Sequence, residues 1–180
     1  MDFQHLLTPA DLVVVGMLAV AVYTDTRWSK VPNALTFGVM GLALVLGPAL
    51  AVVQQGWAAA PPALLSAFLG ILAAFGPGFL FWRLGGAMRA GDVKLLMAMG
   101  AVFGPFEVLR IFVILLVVQI PVGFIQLWRA GRLRSFFRVL KAGVFQQPDG
   151  PKPMVVPFAW VIATAYVISE IFPAFLRFWS

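Results

Sequence analysis

One stretch of 52 residues, Val31 to Trp82, contains no charged side chain. As α-helix at ~1.5 Å per residue it would extend ~78 Å, against a bilayer hydrocarbon core of ~30 Å. Such a segment has to cross a membrane at least twice. The rest of the chain agrees: 62% of its 180 residues are hydrophobic and only 11% are charged, whereas soluble domains carry roughly 25% charge. The same richness in Leu, Val, Phe and Ala excludes disorder, because these side chains cannot stay solvated. The sequence predicts an all-α, polytopic integral membrane protein of about six transmembrane helices, forming a single membrane-embedded domain over residues 1–180.

Breaks and charges delimit the spans. The first runs from about Pro9 to Trp28 and opens with Thr8 as N-cap, Pro9 at the first helical position and Asp11 at the third. The second covers Asn33 to Val53. Gln54–Gly56 and Pro61–Pro62 separate it from the third, Ala63 to Trp82, in which Gly76-Pro77-Gly78 predicts a kink. The fourth runs from Gly91 to Gly104-Pro105, the fifth from Glu107 to Trp128 and the sixth from Pro153 to Phe175. Asp2 and Asp11 disfavour a cleaved signal peptide, so the first span is read as retained.

The loops orient these spans. Arg27 and Lys30 fall in the first loop, and Arg83, Arg89 and Lys94 around the third. Arg129, Arg132, Arg134, Arg138, Lys141 and Lys152 fall in the fifth, making 11 of the 13 Lys and Arg on one side. The alternate loops, Gln54–Pro62 and Gly104–Glu107, have neither. The positive-inside rule puts the odd loops in the cytoplasm and both termini outside it. Topology thus accounts for the net charge of +6 without nucleic acid. Within the basic loop 129–152, Leu133, Phe137, Leu140 and Val144 recur at helical spacing. They suit an amphipathic helix on anionic lipid, or a plain topological anchor. Trp28, Trp82 and Trp128 at cytoplasmic span ends fit an aromatic belt.

Few side chains remain for chemistry. There is no cysteine and the single histidine is His5, so no zinc-type ligand set can be assembled. Of the seven acids, Asp2, Asp11, Glu107 and Glu170 map to non-cytoplasmic span ends and Asp149 to the basic loop. Asp25 and Asp92 are left. Only 13 residues separate Asp11 from Asp25, about 20 Å of helix and less than a bilayer. The first helix therefore continues past Asp25, and the equally short fourth span sets Asp92 at the same depth. Ionisable groups at such positions are costly and mark function.

Two such carboxylates make a hydrolytic apparatus. At ~4 Å separation and an effective dielectric near 20 their repulsion is ~4 kcal/mol. One then stays charged while the other holds a proton, as in aspartic proteases. The first can take a proton from attacking water and the second can donate to the carbonyl oxygen, with no metal or cofactor. Depth and spacing alone leave other readings open. The pair also suits a proton or cation pathway in a small transporter or channel, and each Asp alone could be a cap, an anchor or a partner for Lys30 or Lys94.

The surrounding residues narrow the choice. Asp25-Thr26-Arg27-Trp28-Ser29-Lys30-Val31-Pro32-Asn33 resembles the first aspartate motif of the type IV prepilin peptidases. Ala90-Gly91-Asp92-Val93-Lys94-Leu95-Leu96 resembles their second, the G-x-G-D signature shared with other intramembrane aspartyl proteases. Val156-Pro157-Phe158 is similar to the Pro-aromatic element that opens the family's last span. Arg89 stands where the first glycine of G-x-G-D belongs, and the cysteine-bearing cytoplasmic insert of longer members is missing. The resemblance implies the short, Flp/Tad-type branch, with peptidase activity and no N-methylation. It carries over Asp25 and Asp92 as the catalytic pair. It also implies a bacterial inner membrane location and, as partner, a prepilin-like membrane protein whose basic leader is cut just before its hydrophobic helix, on the cytoplasmic side. A small transporter or proton channel using Asp25 and Asp92 as a relay, and an inactive relative that scaffolds pilus assembly, remain as rivals.

Around the pair, Gly91 suits a tight turn into the fourth helix, or simple helix initiation. Lys94, two residues past Asp92, faces another side of the helix and is suited to lipid phosphate or substrate. Pro32 and Asn33 set the break between the first two spans, and Lys30 and Pro157 flank the site. Arg89 can snorkel its charge to the headgroups, or reach the pair and favour its ionised member.

Overall fold

The computed structural model describes residues 8–85, 88–129, 131 and 158–171. All the regular structure among them is helical: α1 (Pro9–Trp28), α2 (Asn33–Gln55), a short 3-10 turn (Trp57–Ala59), α3 (Ala60–Gly85), α4 (Ala90–Phe103), α5 (Pro105–Arg129) and α6 (Phe158–Ile171). Three of these segments, Pro9–Trp28, Asn33–Gln55 and Trp57–Arg83, are long and apolar enough by themselves to cross a membrane. The chain is an all-α membrane protein.

The helix ends follow from local chemistry. Thr8 caps α1: its hydroxyl accepts from the Asp11 N–H at 3.3 Å, while the Thr8 N–H donates to Asp11 Oδ2 at 2.7 Å. Such a reciprocal cap satisfies two orphan donors at once. At the other end Ser29 adopts the left-handed conformation (φ 52°) and its N–H closes onto the Asp25 carbonyl. The chain turns there and reaches α2 after Lys30–Pro32. α3 begins three residues ahead of the expected Ala63, because Pro61 and Pro62 lie in its first turn, where a missing N–H costs nothing. It continues as helix through Pro77. α4 stops at Gly104 (φ 84°), and Pro105 starts α5 directly.

α4 is the axis of the core. At 14 residues it is only ~21 Å long, short of a bilayer. Its length is tolerable because protein surrounds it: Leu95, Leu96, Ala98 and Met99 are fully buried. It packs most extensively on α3, then on α2. The α3 contact is backbone on backbone. A Cβ on Gly70 would collide with the Gly100 carbonyl, and one on Gly100 with the Gly70 carbonyl. Small residues of this kind let membrane helices approach closely.

Acids away from the candidate site knit the opposite end of the bundle. Tyr166 of α6 donates to the buried Asp11 at 2.9 Å, and Arg110 pairs with Glu107 at 2.7 Å and Glu170 at 3.8 Å. The expected amphipathic segment Leu133–Val144, and Pro153 to Pro157 and Phe172 to Phe175 of the expected sixth span, lie outside the described residues.

Candidate active site

Asp25 lies in the last turn of α1 and Asp92 in the first turn of α4. The carboxylates come from helices of opposite direction, so they meet at one end of the bundle. They are 4% and 2% exposed, yet both line one cavity of about 520 Å³. The connection Ser29–Pro32 and the start of α4 form its walls. Two ionisable side chains that are nearly inaccessible and share one cavity need compensation for lost hydration.

Helix starts provide part of it. The Arg89 N–H donates to Asp92 Oδ2 at 2.9 Å, so Asp92 satisfies one of the orphan amides of its own helix. The Ala159 N–H, in the first turn of α6, donates to Asp25 Oδ2 at 3.3 Å. Each carboxylate therefore faces a helix N-terminus, whose partial positive charge favours an anion. Arg89 adds a full charge: its Nη1 lies 3.7 Å from Asp25 Oδ1 and donates to the Ser29 carbonyl at 3.4 Å. One residue thus touches both aspartates, Asp92 through its amide and Asp25 through its side chain.

The other sequence-picked residues divide. Lys30, Pro32, Asn33, Gly91 and Lys94 all line the cavity. Lys94 contacts neither aspartate through a salt bridge; its ammonium donates to Asn33 Oδ1 at 2.9 Å and sits 5.3 Å from the Phe37 ring centroid. The cation on Asp25 is Arg89, since the guanidinium spans the gap between two loops. Gly91 makes no tight turn. It lies within α4 outside the left-handed region, and a Cβ there would meet Val31 at an ordinary 3.5 Å. Pro157 lies outside the described residues, although α6 opens at the adjacent Phe158.

Sequence reading missed the Ala159 amide and the bond from Trp160 Nε1 to Thr26 Oγ1 at 3.0 Å. Both join residues 134 positions apart, and no local pattern encodes a partner at that distance. Among the described residues, no group of three or more His, Asp or Glu side chains is placed to hold a metal ion. What the site offers is two buried carboxylates, backbone amides and a guanidinium around one shared cavity.

Residues 12–126, which include both aspartates and run from α1 into α5, match the type IV leader peptidase family. A stretch of 98 residues is 35% identical to Prepilin peptidase EppA of Methanothermobacter thermautotrophicus, covering 53% of this chain and 24% of that protein. The chain thus spans about a quarter of the length of this curated relative. No solved structure matches it.

Proposed function

The chain belongs to the type IV leader peptidase family, and from that footing we propose that it is a membrane-embedded aspartyl endopeptidase. Its substrates are prepilin-like membrane proteins of the Flp/Tad kind. It removes their basic leader at the cytoplasmic face of the cytoplasmic membrane, without methylating the new N-terminus and without a cofactor. The catalytic machinery forms a single membrane-embedded domain. One observation carries this reading: two buried carboxylates on separate helices line one cavity, and Arg89 touches both.

The contacts suggest a division of labour. Asp25, with a guanidinium and an amide beside it, is placed to act as the base. Asp92 accepts the Arg89 amide on Oδ2, which leaves Oδ1 to carry the proton. Asp25 removes a proton from water as its oxygen attacks the scissile carbonyl carbon, and Asp92 protonates the carbonyl oxygen. The tetrahedral diol then collapses. The C–N bond breaks, Asp25 delivers its proton to the leaving amine, and Asp92 recovers its own from the diol. Ser29–Asn33 and Gly91 shape the walls, and Lys94 is suited to lipid phosphate or substrate.

Leader removal tests this directly. Purified chain in phospholipid vesicles, given a Flp-type precursor, should release the leader as a separate peptide. An intact precursor together with proton flux through the vesicle wall would indicate a relay instead. An intact precursor bound stably to the chain would indicate a scaffold.

A further inference from the structure

Next to the carboxylate cavity lies a second hollow, of about 320 Å³, whose lining is apolar apart from Lys94. Phe37 of α2, Phe75, Phe79 and Trp82 of α3, and Val93 and Met97 of α4 form it. The α3 aromatics are preassembled: Phe75 stacks on Phe79 at 5.3 Å between centroids, and Phe79 lies 5.5 Å from Trp82. All four aromatic rings keep an open face; Phe37 is 53% exposed and Phe79 39%.

Position relates this groove to the site. Asp92 is the third residue of α4, and Val93 and Met97 occupy the turn that follows. Phe37 lies just over one turn into α2, and Phe75 to Trp82 belong to the last turns of α3. The groove therefore starts at the depth of the carboxylates and runs ~5–10 Å further into the bilayer. Lys94 lines both spaces. Its ammonium is held by Asn33 on the polar side and lies over Phe37 on the apolar side.

We propose that this groove receives the first apolar turns of the substrate's transmembrane helix, with the scissile bond held above it between Asp25 and Asp92. The inference rests on the peptidase reading and adds a docking surface to it. A chain cut just before a hydrophobic helix puts that helix within a residue or two of the carboxylates, at ~3.3 Å per extended residue. The surface it meets has to be apolar, open to the bilayer and continuous with the cavity. This groove meets all three conditions. Lipid tails are as apolar as a helix, so recognition comes from shape and van der Waals contact rather than from the hydrophobic effect. Truncation effects are correspondingly moderate, and proximity is the sharper readout.

The chain contains no cysteine, so single cysteines report cleanly. Phe79→Cys and Phe37→Cys, on opposite walls, are each combined with Asp92→Asn and reconstituted with a Flp-type precursor in phosphatidylethanolamine–phosphatidylglycerol vesicles. The precursor carries one cysteine in the first turn after its cleavage site. A short bis-maleimide should join the precursor to both positions, but not to Val53→Cys at the far end of α2, which is 83% exposed. In the otherwise unaltered chain, Phe79→Ala should raise KM about three- to tenfold with kcat within about twofold, the pattern of lost uniform binding. Val53→Ala should change neither. If the unaltered chain cleaves the precursor and positions 37 and 79 crosslink no better than 53, lipid fills the groove and the inference is overturned alone. If the unaltered chain leaves the precursor intact, the peptidase reading falls and takes the inference with it.

Discussion

Arg89, at the position where the resemblance expects a glycine, touches both aspartates, Asp92 through its backbone amide and Asp25 through its guanidinium. Its amide cap on Asp92 depends on backbone position, which glycine also provides. Its guanidinium on Asp25 is what glycine would lose. The side chain is 46% exposed and the separation is 3.7 Å, so as a contribution to stability the pair is worth at most about 1 kcal/mol. Its effect belongs to the chemistry. Arg89→Gly should remain folded and lower kcat about three- to tenfold, and Arg89→Lys should recover most of the loss. Steady-state kinetics on a single precursor measure both. Complete inactivity of folded Arg89→Gly would give Arg89 an essential role that this geometry does not supply. The aspartates themselves were legible because so few acids sit at membrane depth. The Arg89–Asp25 and Ala159–Asp25 contacts were not, because each depends on how distant segments pack.

At the scale of elements, local chemistry carried the first helix and failed at the third. Thr8, Pro9 and Asp11 are complete start signals within four positions, so α1 could be bounded from sequence. Pro61 and Pro62 resembled a break, although both are compatible with a first turn. The short α4 was readable from Gly91 to Gly104, but not the reason it can be short, namely the cover given by its neighbours. That cover depends on Gly70 and Gly100, where two backbones touch and no side chain can yield. Gly100→Ala should therefore destabilise the protein by about 1–3 kcal/mol, the usual cost of overpacking. Thermal unfolding in detergent should show the loss. Gly16→Ala, where a Cβ meets nothing, should leave the midpoint unchanged or slightly raised. Equal midpoints for Gly100→Ala and the parent chain would mean that α3 and α4 do not approach as described.

At the scale of the whole molecule, the helices alternate so that one end gathers the candidate site and the other the Asp11–Tyr166 bond and the Glu107–Arg110–Glu170 ion pairs. Loop charge alone pointed to the same division, because the constraint on Lys and Arg is global and additive along the chain. A topology reporter fused after Arg134 should read cytoplasmic and one after Gln55 non-cytoplasmic. The reverse result would turn the carboxylates away from a cytoplasmic leader. Whether Asp25 and Asp92 together perform the hydrolysis is read from leader cleavage by Asp25→Asn and Asp92→Asn, each shown to be folded by its unfolding midpoint. An amide keeps the carboxylate's shape but can neither take water's proton nor donate an acidic one. Each variant alone should lose cleavage by a factor of about 10³ or more; robust cleavage by either would show that hydrolysis does not need both carboxylates.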